Sequence, residues 1–305
     1  MTFLQALVIG IIQGLTEFIP ISSTAHIKVI PSLLGWKDPG AAFTAVIQWG
    51  TLVAALIYFR ADIVRITRAT LAGLFCGRPF QTPDAKMGWM IALGTVPVVV
   101  LGLALKKPIE TSLRSLYVIS AAAIAFALVL MVAEWVVVWR ERTWRKQKDM
   151  GELGWWDAIG VGLAQAAALI PGASRSGVTI TGGLFLGIRR DAAARFSFLL
   201  SLPADFGAGL FELYDKRREL LASQADLLNL ITATVVSGII GYATIAFLLS
   251  YLKKHSTYLF IIYRLFLGTA LLLLLFSGKL QDEPSHGVDQ PNGHAATGVV
   301  GEGRQ

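Results

Sequence analysis

One segment decides the fold class of this chain, Q-G-L-T-E-F-I-P-I-S-S-T-A-H at Gln13–His26. It begins as an apolar helix and then brings together an acid (Glu17), a proline (Pro20), three hydroxyl residues and a histidine. The proline pushes the backbone before it away from helical conformation, so the helix is predicted to break there. Within a bilayer such polar groups cost free energy and are usually functional. The composition of the whole chain decides whether this segment lies in a bilayer.

The composition is that of a membrane protein. Of 305 residues, 54% are hydrophobic and 15% are charged, against roughly 25% charged residues in soluble domains. The mean hydropathy is +0.61, and several stretches nearly without charge match a hydrocarbon core of about 30 Å. The net charge of +7 lies in segments between the apolar stretches, which predicts contact with the lipid bilayer and no nucleic acid partner. The one cysteine, Cys76, excludes an intrachain disulfide and a cysteine-based metal site.

Two half-length apolar segments surround the polar break. Residues 3–15 are too short to cross a bilayer, and a second short segment, 21–34, ends at Gly35. This pattern predicts a re-entrant helical hairpin, whose irregular backbone is tolerated at membrane depth only inside protein or along a cavity. The alternative is one kinked helix that spans the membrane from residue 3 to residue 34.

The same pattern recurs in the second half of the chain. A short apolar segment leads to another Ile-Pro pair, and P-G-A-S-R-S-G-V-T follows at 171–179. Aligning Pro20 with Pro171, a shift of 151 residues, places Ser23 on Ser174. The two halves of the chain are therefore predicted to be copies of one repeat.

Three membrane spans are predicted after each hairpin. They are 41–59, 87–105 and 116–139 in the first half, and 192–214, 227–251 and 258–276 in the second. An odd number of spans between the hairpins makes them enter from opposite faces, as in the inverted repeats of many transporters. The predicted fold class is an all-α polytopic membrane protein with an inverted repeat, each half a re-entrant helical hairpin plus three transmembrane helices. One integral membrane domain is predicted over 1–280, with halves of about 1–139 and 155–277 and a disordered tail over 281–305.

Basic residues predict the orientation. The segments between spans carry 14 lysines and arginines on one face and 8 on the other. The positive-inside rule makes the first face cytoplasmic and places both termini outside. Glycines are frequent in the spans, but they do not by themselves specify a homodimer, which the sequence leaves open.

The P-G-A-S-R-S-G segment has the composition of a phosphate-binding loop. Small residues let the backbone approach a ligand, and serine hydroxyls and amides at a helix start donate hydrogen bonds to an anion. The guanidinium of Arg175 adds a permanently charged fork that suits phosphate. The alternative is that Arg175 pairs with a buried acid such as Glu17. Arg195, Asp205 and Arg264 are further polar residues of the spans, which either complete the pocket or pair with one another.

The first segment supplies complementary groups. Gln13 and Glu17 are four residues apart on one helix face, and their oxygens suit a hard divalent cation that also contacts a diphosphate. The alternative is an acid satisfied by arginine or hydroxyls. Ser23 and His26 are one helical turn apart, which predicts a serine beside a histidine, the minimal activated nucleophile. The alternative is a structural histidine.

These motifs resemble the signatures of the bacterial undecaprenyl-diphosphate phosphatase family, also called the bacitracin-resistance protein family. The similar segments are 14–26 and 171–179, framed by F-x-x-x-I-Q-x-G at 43–50, F-S-F-L-L-S-x-P at 196–203 and I-Y-R at 262–264. The resemblance implies hydrolysis of the terminal phosphate of a C55 isoprenoid diphosphate, which recycles the carrier lipid for peptidoglycan synthesis. It also implies location in the bacterial cytoplasmic (inner) membrane, an active site that faces outwards, and a Mg²⁺ or Ca²⁺ cofactor.

The resemblance assigns roles to individual residues. It implies catalytic roles for Glu17, Ser23, His26 and Arg175, and cation binding by Gln13 and Glu17. The substrate-binding residues implied or inferred are Ser22, Thr24, Gln48, Gly172, Ser174, Ser176 and Thr179. Thr44 stands where the family pattern has an acid, which is a departure that bears on cation binding.

Two rival functions remain open at this point. A transporter that flips the lipid monophosphate would use the same basic pocket, and the predicted inverted repeat is typical of transporters. Lipid phosphatases with a histidine nucleophile need a histidine shortly after the serine-arginine pair, but none follows Arg175 before His255.

Overall fold

The computed structural model describes residues 1–36, 40–110, 113, 115–143, 145–215 and 224–280. The predicted tail over 281–305 lies outside the described residues, as do several basic residues used to predict the orientation, namely Lys37, Arg114, Lys216, Arg217 and Arg218. The described part is built from α-helices and short 3₁₀ turns.

The first hairpin is formed by α1 (Phe3–Thr16) and α2 (Ser23–Leu33). Thr2 caps α1 through a capping box with Gln5. Fourteen residues of helix extend about 21 Å, which is too short for a hydrocarbon core of about 30 Å. The chain leaves the helix at residues 17–22, and α1 and α2 contact each other. The hairpin therefore describes this region better than one kinked helix.

The second hairpin is formed by α8 (Trp155–Ala166), a 3₁₀ turn at Ala167–Leu169 and α9 (Arg175–Phe185). Both α2 and α9 have 11 residues, and each follows a serine with positive φ, 74° at Ser22 and 67° at Ser174. Among the described residues these are the two non-glycine residues with positive φ.

The backbone of the two hairpins aligns with a shift of 152 residues, from Ser22 to Ser174. The predicted alignment of Ser23 with Ser174 is therefore wrong by one residue. Two residues separate Pro20 from the first residue of α2, whereas three separate Pro171 from the first residue of α9. The proline that anchored the sequence alignment does not occupy equivalent positions in the two turns.

Longer helices surround the hairpins. They are α3 (Gly40–Tyr58), α4 (Arg60–Phe75), α5 (Pro83–Ala104), α6 (Lys106–Glu110), α7 (Leu116–Arg142), α10 (Arg190–Asp215), α11 (Gln224–Leu252) and α12 (Tyr258–Phe276). In the described residues, five of them are long and apolar enough to cross a membrane, and the bent pair α3–α4 raises the number to six if it forms one span. The two parts of that pair meet at 73°. Large apolar side chains cover the outer faces, such as Leu103, Phe266 and Phe276, which are 72–76% exposed. The prediction of an all-α polytopic membrane protein is confirmed.

The helices of the two halves pack reciprocally. Helix α1 packs on α11, and α8 packs on α5; likewise α3 packs on α11, and α10 packs on α5. Glycines allow these close approaches: a Cβ at Gly14 would lie 2.8 Å from the Ser237 oxygen, and one at Gly94 would lie 3.0 Å from the Ala158 oxygen. In each half, the first hairpin helix and the first long helix pack on the same helix of the other half, which is the pattern expected of a repeat. The inverted orientation of the two halves stays a prediction.

Candidate active site

Glu17, the first residue after α1, joins the two hairpins. Its Oε1 accepts a hydrogen bond from Arg175 Nη2 at 2.7 Å. Its Oε2 accepts hydrogen bonds from Ser23 Oγ at 2.7 Å and from Gln13 Nε2 at 3.0 Å. The carboxylate side chain is only 11% exposed. Four residues that the sequence proposed for the site therefore meet at one carboxylate.

Arg175 is shared between two acids. It is the first residue of α9, and its Nη1 pairs with Asp205 of α10 while its Nη2 bonds Glu17. The side chains of Arg175 and Asp205 are 22% and 28% exposed. One arginine and two carboxylates carry a formal net charge of −1, so binding of a further cation would be electrostatically favourable. The pairing of Arg175 with Glu17, one alternative from the sequence, is present, and Asp205 belongs to this cluster.

The loop before α9 is held by its own polar groups. Ser174 Oγ accepts a hydrogen bond from the Gly177 amide at 3.3 Å and lies 3.4 Å from Ser176 Oγ. Thr179 Oγ1 donates to the Arg175 carbonyl at 2.7 Å and also bonds Ser197. The side chain of Thr179 is fully buried. These hydroxyls therefore fix the backbone that presents Arg175.

Arg264 of α12 fastens the same loop from behind. Its Nη2 donates to the carbonyl oxygens of Gly172 at 3.1 Å and Ala173 at 2.9 Å. The side chain is fully buried, and its Nε and Nη1 have no hydrogen-bond partner among the described residues. Gly172 has a φ of 91°, and a Cβ there would lie 2.8 Å from the Ile119 Cα. Only glycine fits the backbone conformation and the close packing at position 172. Arg264 binds carbonyl oxygens of the loop and not an acidic side chain.

His26 lies in a separate hydrogen-bonded group. Its side chain is 4% exposed, with Nδ1 at 2.7 Å from the Ser22 carbonyl oxygen and Nε2 at 2.6 Å from the Tyr263 hydroxyl. The sequence predicts a serine beside a histidine as an activated nucleophile, but the Ser23 hydroxyl donates its hydrogen bond to Glu17. A carboxylate is a stronger hydrogen-bond acceptor than a neutral imidazole. The Ser23 hydroxyl therefore donates to Glu17 and not to His26.

Other proposed residues lie apart from this cluster. Thr24 and Gln48 are exposed, and in the described part of the chain no hydrogen bond joins their side chains to Glu17 or Arg175. Arg195 pairs with Asp62 at 2.5 Å instead of with Asp205 or Arg264. Substrate contacts of Thr24 and Gln48 stay predictions.

The oxygen atoms around Glu17 fit a hard divalent cation in part. Gln13 is fully buried, and its Oε1 has no partner among the described residues. The described residues hold no group of three or more histidines, cysteines or acids arranged for a metal ion, and Thr44 donates to the Gly40 carbonyl of its own helix. Such a small set of protein oxygens suits Mg²⁺, which keeps several waters and also binds substrate phosphates.

Fold and site together define a class of protein: a multi-pass α-helical membrane protein with a carboxylate–arginine cluster between two hairpins. The family model described as bacitracin resistance protein BacA matches residues 6–270. The chain belongs to this family, and the resemblance inferred from its motifs is confirmed.

Curated relatives are similar over nearly their whole length. The undecaprenyl-diphosphatase of Chloroherpeton thalassium is 63% identical over 281 residues, which cover 92% of this chain and 99% of that protein. The undecaprenyl-diphosphatases of Chlorobium phaeobacteroides and Prosthecochloris aestuarii are 60% and 58% identical, and each alignment covers 92% of this chain and 100% of the relative.

Proposed function

We propose that this protein hydrolyses undecaprenyl diphosphate to undecaprenyl phosphate and inorganic phosphate. This reaction recycles the lipid carrier for peptidoglycan synthesis and confers bacitracin resistance. Family membership and the names of the relatives support the activity. The observation that carries the site assignment is the Glu17 carboxylate, which binds Ser23 of one hairpin and Arg175 of the other.

Arg175 and the start of α9 bind the diphosphate. The guanidinium is a bidentate donor for phosphate oxygens, and helix N-terminal amides favour anions. In the structure the guanidinium pairs with Glu17 and Asp205. Substrate phosphate replaces at least one of these acids as the partner of Arg175. A displaced Glu17 carboxylate can then accept a proton or bind a cation.

Ser23 attacks the terminal phosphorus in line, or it orients the water that does. Its hydroxyl proton points to Glu17 Oε2, which makes Glu17 the nearest acceptor for that proton. In either route the bond between the terminal phosphorus and the bridging oxygen breaks, and undecaprenyl phosphate leaves. His26 Nε2 is the second base, and it accepts a proton of the attacking water. Arg175 stabilises the charge on the transferred phosphoryl group.

A divalent cation, Mg²⁺ or Ca²⁺, is part of this proposal. Gln13 Oε1 and the Glu17 carboxylate would hold it, because they lie together and supply hard oxygen ligands. When bound, the cation neutralises charge on the substrate phosphates. The net charge of −1 in the cluster is compatible with it.

The protein is proposed to lie in the bacterial cytoplasmic (inner) membrane with its site facing outwards. Support comes from the excess of basic residues on the opposite face, such as Arg60, Arg65 and Arg189. The isoprenoid tail stays in lipid between helices, which their exposed apolar side chains allow.

Phosphate release from undecaprenyl diphosphate by the purified protein tests this proposal. We expect release by the wild type and strong losses in Ser23→Ala, His26→Ala and Arg175→Lys. Ser32→Ala is the matched serine control, since Ser32 lies on the same helix, is exposed and bonds only its own turn. Normal rates in the three site variants would refute the site. Lipid transfer across vesicles by a protein that never releases phosphate would favour the transporter instead.

A further inference from the structure

Tyr263 is the one residue of α12 that contacts His26 through a hydrogen bond in the described part of the chain. The tyrosine hydroxyl lies 2.6 Å from His26 Nε2, although 237 positions separate the two residues. The rings are nearly parallel, with 9° between their planes and 5.6 Å between their centroids. Tyr263 is 39% exposed, whereas His26 is 4% exposed.

The two hydrogen bonds of the imidazole determine its tautomer. The Ser22 carbonyl oxygen, 2.7 Å from Nδ1, can only accept a hydrogen bond. Nδ1 therefore carries the proton, and Nε2 of the neutral ring has the lone pair. It follows that the Tyr263 hydroxyl donates to Nε2. The basic atom of His26 is the one that the tyrosine contacts.

The position of Ser22 has a cost that this hydrogen bond helps to explain. A φ of 74° is unfavourable for a residue with a Cβ. Its side chain makes no capping hydrogen bond to α2. Its carbonyl oxygen, however, accepts from His26 Nδ1 and lies 3.4 Å from the His26 amide nitrogen. The strained backbone thus directs an acceptor at the imidazole.

Helix α12 is held firmly enough to position a partner. Before its first turn, the Thr257 amide and hydroxyl each donate to Glu134 Oε1 at 2.8 Å. Glu134 is fully buried and also binds Arg190. One residue after Tyr263, Arg264 bonds the loop before α9. Two successive residues of α12 therefore contact the two hairpins, one each.

We propose that Tyr263 is a positioning residue, which donates a hydrogen bond to the Nε2 lone pair of His26 and, opposite the Ser22 carbonyl, holds the imidazole in its orientation. This inference rests on the proton-transfer role proposed for His26. Tyr263 acts through the imidazole, because its hydroxyl lies 2.6 Å from His26 Nε2. Loss of its hydroxyl should therefore lower kcat and leave KM nearly unchanged.

The variant Tyr263→Phe removes the hydroxyl and keeps the ring. We expect kcat for phosphate release to fall about tenfold, the equivalent of one ordinary hydrogen bond, with KM changed by less than about twofold. Tyr242→Phe is the matched control: Tyr242 is 42% exposed on α11 and makes no hydrogen bond among the described residues. Its kinetic constants should equal those of the wild type.

Nitrogen NMR of histidine-labelled protein in nanodiscs measures the tautomer directly and needs no substrate. The chain has four histidines, so His26→Ala assigns the His26 signals. In the wild type we expect a protonated Nδ1 and an unprotonated, hydrogen-bonded Nε2. In Tyr263→Phe we expect Nδ1 to stay protonated, because the Ser22 carbonyl remains, and the Nε2 signal to move to that of an imidazole nitrogen without a hydrogen bond. Tyr242→Phe should match the wild type.

Each outcome has a definite meaning. A proton on Nε2 in the wild type would overturn the inference, even if no variant folded. An unchanged kcat or an unchanged Nε2 signal in Tyr263→Phe would also overturn it. Full activity of His26→Ala would remove the proposed role of His26, and absence of hydrolysis by the wild type would remove the proposed function. The NMR result separates these failures from that of Tyr263.

Discussion

Helices α2 and α9 have the same length and the same positive-φ serine before them, yet they present different side chains. With the shift of 152 residues, Glu17 corresponds to Leu169, Ser23 to Arg175 and His26 to Val178. One hairpin therefore supplies the acid, the hydroxyl and the imidazole, and the other supplies the guanidinium of Arg175. The repeated backbone provides two turns that meet, and the chemistry requires that their side chains differ.

One pair of equivalent residues has kept the same side chain. Gln13 corresponds to Gln165, and both are fully buried. Gln13 donates to Glu17, whereas both amide atoms of Gln165 have no partner among the described residues. A buried amide without partners costs free energy. The buried glutamine thus contacts Glu17 in the first hairpin, whereas its equivalent in the second hairpin lies outside the cluster around Glu17.

The largest effect is expected for Arg175→Lys, which keeps the charge and removes the fork. Lysine cannot bind Glu17 and Asp205 or two phosphate oxygens in the same way. We expect kcat/KM for phosphate release to fall about 10³-fold. Arg195→Lys is the control, since Arg195 pairs with Asp62 outside the cluster. An equal loss in both variants would contradict the assignment.

Glu17→Leu makes the first hairpin resemble the second at this position. It removes the acceptor of Ser23, Gln13 and Arg175. Activity should fall about 10²-fold, as measured by steady-state phosphate release. Retention of more than half of the activity would show that the carboxylate is not the centre of the site.

Gln13→Leu and Gln165→Leu compare the two equivalent amides. For Gln13→Leu we expect the Mg²⁺ concentration needed for half-maximal activity to rise about tenfold, the loss of one ligand interaction. For Gln165→Leu we expect unchanged kinetics and a free energy of unfolding higher by about 1 kcal/mol, because an unpartnered buried amide is removed. Metal titrations measure the Mg²⁺ dependence of each variant, and thermal unfolding in detergent measures its stability. Equal metal dependence in the two variants would contradict the cation site.

Ser22→Gly and Ser174→Gly should have the smallest effects. Glycine adopts positive φ without strain, so Ser22→Gly should stabilise the fold by about 1 kcal/mol. Ser174→Gly should gain less, because it loses the hydrogen bond from the Gly177 amide. Thermal unfolding of both variants measures the difference, and a destabilised Ser22→Gly would contradict it.

Hydropathy and proline positions predict the hairpins and the spans, because each depends on local sequence. The pairing of atoms within the site depends on which acceptor lies nearest in space. For that reason the sequence paired Ser23 with His26 and left Asp205 and Arg264 undecided. Tyr263 entered only as part of the I-Y-R segment and received no role, since a tyrosine in an apolar helix has the same pattern as a residue at the membrane interface. The register of the repeat was wrong because φ angles, and not prolines, mark its equivalent positions.

The central claim is that both hairpins form one site through the contact of Glu17 with Arg175. A double-mutant cycle of phosphate release, with Glu17→Gln, Arg175→Lys and the double variant, tests it most directly. The Asp62–Arg195 pair, at 2.5 Å, provides the control cycle. We predict that the double variant loses no more activity than the worse single variant, because the two groups act as a unit. A loss equal to the product of the two single losses would contradict the claim.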